Sequence, residues 1–257
     1  MDPAAHGHGN DAGTRRRATR TGSIRRHLAG TARPARHNFH GPATRTGRGA
    51  QREAARNAVT RLVDVDLVLA STSRYRRELL ARLTPNFRGV APDIDEGPLA
   101  EESPPDLAQR LAREKARVVA AKNPGAIVIG SDQTADLDGR LLGKPYTVEN
   151  ACAQLADCSA RRVVFHTGLC VIDGRQAPHR VLAAHDTTRV HFRELDADTI
   201  ARYVEREQPL DCAGSFKCEG LGIALFERIE SEDPTALIGL PLIALCKLLR
   251  EAEIEIV

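Results

Sequence analysis

Apolar positions are sparse before Leu62 and then fall into a regular succession of short runs and helical stripes. VDLVLA at Val65–Ala70 reads as a buried strand, and Arg74–Leu83 as a helix with its leucines on one face. Phe87–Ala91 is a short strand. Ser103–Ala121 is a long helix with a serine cap, proline in its first turn, and Leu107, Leu111 and Val118 on one face. Ala126–Gly130 (AIVIG) is a strand, and Thr134–Leu142 a hairpin turning at Asp138–Gly139. A helix follows at Thr147–Asp157. Two longer strands, Arg162–Ile172 and His179–Phe192, are joined through Asp173–Gly174. Asp196 caps a helix running to Glu207, and Leu240–Glu251 is the closing helix. Crossover units combined with a long hairpin predict an α/β fold built on a mixed sheet.

Charge divides the chain in the same place. Residues 1–61 hold thirteen arginines, no lysine and three acids, a net +10, so within a whole-chain charge of +3 the remainder carries −7. So polar a segment buries too little surface to fold alone, and disorder is expected for residues 1–61. The folded unit is expected over 62–257. Three readings stay open for the extension: a nucleic-acid-binding arm, an Arg-rich transit peptide, or a start codon assigned too far upstream. The abrupt opening at Val63-Asp64-Val65-Asp66 favours the last, since Leu62 and Val63 are residues that non-standard bacterial start codons encode. Six cysteines show neither C-x-x-C pairs nor zinc-type spacing with histidine, which points to reduced thiols in a cytoplasmic protein. Neither a signal peptide nor an apolar run of membrane length is visible.

Candidate chemistry sits where apolar runs stop. After DLVLA, Ser71 or Ser73 can cap the next helix, and Arg74, Arg76 and Arg77 follow in its first turns, a setting suited to phosphate. The Walker pattern is absent. AIVIGSD is read as a strand ending near Asp132, a carboxylate placed to take a proton from water, with Gln133 beside it to orient a ligand. Lys144 stands between Gly143 and Pro145 and can reach a phosphate. Asp93, Asp95 and Glu96 are dense enough to call for a cation between them, or else form a solvated acidic loop. Lys115 lies on a helix in a surface-type pattern and reads as solvated. DCAGSFKCEGLG, Asp211–Gly222, suggests through its three glycines, Ser215 and Lys217 a loop that approaches a ligand closely.

Taken together, LASTSRYRRELL, PDIDEGPL, LAREKAR, IVIGSDQ, LDGRLLGKP, FHTGL, YVEREQPLDCAGSFKCEGLGIALFERIE and IGLPLIALCKLLR resemble the Maf family of nucleotide pyrophosphatases, also called septum-formation-inhibitor-like proteins. They lie in order within Leu67–Arg250 and cover nearly all of it, and the segment before Leu62 has no counterpart. The resemblance implies a two-lobed, ITPase-like α/β fold with a central cleft, cytoplasmic location and often a homodimer. It implies hydrolysis of a nucleoside triphosphate to monophosphate and pyrophosphate with a divalent cation, Mg2+ or Mn2+. By position it makes Asp132 the proton acceptor and Glu96 a catalytic or metal-linked acid, with Asp132 also a candidate metal ligand. Ser71, Arg76, Arg77, Lys115 and Lys144 become phosphate-binding positions, and Tyr75, Gln133 and Glu219 specificity positions.

Gln after the Asp, and SFKCEG in the late loop, resemble the subgroup acting on N7-methyl-GTP. The dTTP and UTP subgroup carries Thr after the Asp, and Gln where Glu219 stands. Chemistry points the same way: an aromatic ring such as Tyr75 stacks on the cationic methylated base. A carboxylate such as Glu219 accepts from guanine N1–H and the 2-amino group. Alternatives are the same reaction on dTTP and UTP or on ITP and XTP, or a non-catalytic nucleotide-binding regulator of cell division. Asp132 with its cationic set argues against the regulator.

Overall fold

The computed structural model describes residues 59–257. The expected disordered extension lies outside them except at its end. There Thr60–Arg61 (β1) pairs in parallel with Ile254–Glu255 (β9), so the folded unit reaches back to Thr60 rather than starting at Leu62.

A seven-stranded mixed sheet carries the molecule. Leu67–Leu69 (β2) runs parallel to Arg88–Gly89 (β3) on one side and to Ile127–Leu137 (β4) on the other. Beyond β4 the pairing turns antiparallel, through Arg162–Asp173 (β6), Arg180–Phe192 (β7) and Phe226–Glu230 (β8). Arg140–Leu142 (β5) forms the expected hairpin on the far end of β4. Five helices surround the sheet among the described residues: Arg74–Leu80 (α1), Pro104–Ala121 (α2), Val148–Cys158 (α3), Ala197–Glu207 (α4) and Leu242–Glu251 (α5). None is long and apolar enough to cross a membrane.

Strand alternation distributes the core. Leu67, Leu69, Ile127 and Ile129 face α1 and α5, while Val68, Ala70 and Val128 face α2. A third cluster buries Ala135 and Leu137 of β4 with Leu155, Phe165, Phe192, Tyr203 and Phe216, under α3 and α4. The single sheet therefore serves two lobes, and β4 passes from one core into the other.

That passage corrects the expected strand end. β4 does not stop at Gly130. Its pairing with β6 is continuous from Ile127 to Asp136, so Asp132 sits in mid-strand, opposite Gly168. Polar residues are tolerated there because each has a partner. The Ser131 hydroxyl reaches the Gly168 and Gly239 carbonyls at 2.8 and 3.0 Å, and Thr134 donates to Pro104 O at 2.9 Å.

The cap readings resolve cleanly. Ser73 rather than Ser71 caps α1, accepting from Arg76 N, and Ser103, Thr147 and Asp196 cap α2, α3 and α4. Strand β8 has no counterpart in the sequence reading. FERIE is an edge strand whose residues after Phe226 are all exposed, so it has no apolar face to reveal it.

Candidate active site

A cleft of about 780 Å3 opens between the lobes. Its centre is an ion-paired triad. Lys115 Nζ donates to Asp132 Oδ1 at 2.6 Å and lies 2.8 Å from Glu96 Oε1. The lysine is 4% exposed, so the solvated reading does not hold. Counting in fours from Leu107 gives Leu111, Lys115 and Val119, one buried stripe of α2. A buried ammonium requires partners, and the two carboxylates supply them. Asp132 Oδ2 takes no hydrogen bond from the described residues, while Asp132 lines the cleft, which leaves that oxygen to a ligand or water.

Arg76 forms the next wall. Its Nε donates to Gly239 O at 2.8 Å. Burial lowers its pKa, and the charges of Asp132 and Glu96 oppose that shift. Gly239 sits at φ 116, where a side chain is strained, and a Cβ would lie 3.4 Å from Arg76 Nε. The turn holding Gly239 is pinned by Gln133, whose amide nitrogen donates to Ala236 O, Leu237 O and Thr167 Oγ1. Gln133 is thus anchored through its amide nitrogen, and its amide oxygen is the atom left for a ligand.

Not every expected residue converges. Ser71, Tyr75, Gln133, Lys144 and Glu219 line the cleft with the triad and Arg76. Arg77 does not: it is exposed, and its guanidinium lies against Gly89. Each residue along the helix turns about 100° from the last, and Arg77 lies one step past the Arg74–Arg76 stretch that borders the cleft. Arg74, on the helix's first turn, lines it instead. The acidic cluster also divides. Glu96 reaches Lys115, while Asp95 accepts from Gly97 N within its own turn and Asp93 is exposed outside the cleft. Among the described residues no three His, Cys, Asp or Glu side chains gather to hold a metal ion.

The Gly-rich loop has a different logic from the one expected. Lys217 Nζ caps the end of α4, bonding Glu207 O and Gln208 O, and buried Ser215 donates to Gln154. A Cβ at Gly222 would lie 2.4 Å from Lys217 O, and one at Gly220 would lie 2.8 Å from Glu207. These glycines permit packing within the loop. To the cleft it presents Asp211, Cys212, Ala213, Phe216, Cys218 and Glu219. Both thiols are pushed up to about 12 by burial, with nearby acids adding, so they stay protonated. Tyr75 OH accepts from Arg74 at 2.8 Å and lies 3.9 Å from Cys212 Sγ, and burial raises the phenol to about 12. Tyr146 and the Leu237–Gly239 turn are cleft walls that the sequence reading passed over.

A family model described as "Maf-like protein" matches residues 66–252. The chain belongs to the Maf family. Among Maf relatives it is 58% identical over 186 residues to a protein of Xanthomonas oryzae pv. oryzae named 7-methyl-GTP pyrophosphatase, covering 72% of this chain and 96% of that one. A Pseudomonas aeruginosa protein of the same name is 53% identical over 191 residues, covering 74% and 98%. Among solved structures, the Staphylococcus aureus Ham1 protein matches with a TM-score of 0.40 at 14% identity, covering 73% and 99%.

Proposed function

We propose that this Maf protein hydrolyses N7-methyl-GTP to N7-methyl-GMP and pyrophosphate. The observation that carries the chemistry is Asp132, held through Oδ1 by a buried lysine with Oδ2 left to the cleft. Water attacks the α-phosphorus, its proton passes to Asp132, and the bond from the α-phosphorus to the bridging oxygen breaks. Pyrophosphate leaves with that oxygen. Arg74, Arg76 and Lys144 line the cleft where the negative charge grows, and fixed cations stabilise such charge. The base assignment draws on the two relatives named 7-methyl-GTP pyrophosphatase and on Glu219 and Tyr75 lining one cleft.

The donor set fits a divalent ion that arrives with the triphosphate. Glu96 and Asp132 meet at one ammonium, and Mg2+ takes one or two carboxylates and completes its shell with phosphate oxygens and water. Bound there, the ion would offset charge on the departing pyrophosphate. We place the enzyme in the cytoplasm, on its six free thiols.

The test is pyrophosphate release from N7-methyl-GTP, GTP, dTTP, UTP, CTP and ITP with Mg2+ or Mn2+. N7-methyl-GTP is expected to be preferred, with activity abolished in Asp132→Asn and discrimination over GTP weakened in Glu219→Gln. Preference for dTTP or UTP would overturn the base assignment, and an active Asp132→Asn enzyme would overturn the mechanism.

A further inference from the structure

Tyr146 is the only exposed residue among the described phenylalanines and tyrosines, at 74%, and it lines the cleft. Its backbone is left-handed, at φ 60, a region that bulky L-residues avoid. The strained residue is fixed by its surroundings. Tyr146 N donates to Leu210 O at 3.1 Å, and the next residue, Thr147, caps α3. A ring held in a strained backbone yet left in solvent calls for a ligand as its explanation.

Tyr75 is anchored on the same short segment. Leu210 bonds the backbone of Tyr146, and two residues on, the Cys212 thiol lies 3.9 Å from Tyr75 OH. Tyr75 already carries a cation, with Arg74 Cζ 4.6 Å from its ring centroid. The chain has three tyrosines and no tryptophan, and the third, Tyr203, is buried and bonds Lys217 N. Two of three tyrosines therefore border the cleft, tied to one strip of backbone.

We propose that Tyr146 is a second specificity residue, stacking with Tyr75 on the cationic N7-methylguanine base. The inference rests on the proposed function. A neutral guanine gains less from such rings, because the attraction is between the base's positive charge and the negative face of each ring.

Steady-state kinetics on Tyr146→Ala and Tyr146→Phe with N7-methyl-GTP and GTP tests it. Tyr146→Ala is expected to raise KM for N7-methyl-GTP by roughly five- to thirty-fold, the range of a cation–π contact. KM for GTP and both kcat values should change little, and Tyr146→Phe should behave as wild type. Equal changes for the two nucleotides, or none, would overturn the proposal. The Y146W variant adds a binding readout, since its tryptophan would be the only one in the chain. Its fluorescence should be quenched by N7-methyl-GMP at lower concentration than by GMP, and absence of that difference would also overturn the contact. Wild-type enzyme inactive on N7-methyl-GTP, with selective quenching retained in Y146W, would refute the proposed function and leave the contact standing.

Discussion

Gly130 is where the packing of the fold should be felt most directly in the chemistry. It lies on β4 under α2, and a Cβ there would stand 2.3 Å from Ala112 O, 2.7 Å from Ala116 N and 2.9 Å from Ala116 Cβ. All but the last are backbone atoms, so no side chain can swing aside. Since Cβ atoms essentially never approach within 3.0 Å, Gly130→Ala must drive the helix back by roughly 0.7 Å. Lys115 rides between the two contacted residues and is 5% exposed along its side chain, with little slack to follow. Its 2.6 Å bond to Asp132 would stretch beyond the usual charge-assisted range of about 2.7–2.9 Å. Overpacking of this kind costs about 1–3 kcal/mol. At about 2–4 °C per kcal/mol for a domain of this size, Tm should fall by about 2–12 °C. A catalytic group misplaced by nearly 1 Å loses about 10²-fold in rate. Thermal melting and pyrophosphate release, the latter well below the variant's Tm, measure the two effects separately. A Gly130→Ala protein with wild-type Tm and wild-type kcat would refute the seating of α2 on β4 and the dependence of Asp132 on it.

Lys115→Ala should leave Asp132 buried without its cation and lower kcat by about 10²–10³-fold, read by the same assay, and wild-type turnover would remove the clamp from the mechanism. Asp233, 3% exposed, accepts from Ile243 N at 2.6 Å, Ala244 N at 3.3 Å and Thr235, which caps α5. Asp233→Ala should cost about 2 kcal/mol, a Tm loss of about 4–8 °C by calorimetry, with no effect if the cap is ornamental. His166 and His185 stack with centroids 5.5 Å apart, and burial lowers both pKa values, His185 adding to the shift of His166. The folded state then binds fewer protons than the unfolded chain, so their contribution is complete above about pH 6.5 and is lost as pH falls below it. Tm should drop from neutral pH toward about pH 5, and His166→Phe should flatten that slope; an unchanged slope would assign it to other groups.

Local pattern made most of the scaffold legible. The apolar runs of β2 and of the first part of β4, the long α2 with its serine and prolines, the helix starting at Thr147, the cap at Asp196, and the turn at Asp138–Gly139 all stand where the sequence reading put them. Each is decided within a few residues, by side-chain direction, a cap or a turn preference. Strand β8 escaped because an edge strand with exposed charges leaves no periodic trace.

The site was legible in content and not in arrangement. Sequence by itself determined that this chain carries a strand-borne aspartate, an arginine-rich helix start, a GKP turn and a late loop ending in SFKCEG, and it determined the family those stretches belong to. Only the tertiary structure decided that Lys115 is buried between Glu96 and Asp132, that Arg76 turns into the cleft while Arg77 turns away, and that β4 runs on through Asp132. The reason is physical. A residue's type and its local period are fixed by its neighbours in the chain. Its burial and charge partners come from elements far apart in sequence, 19 residues from Glu96 to Lys115 and 163 from Arg76 to Gly239, and exist only once those elements pack.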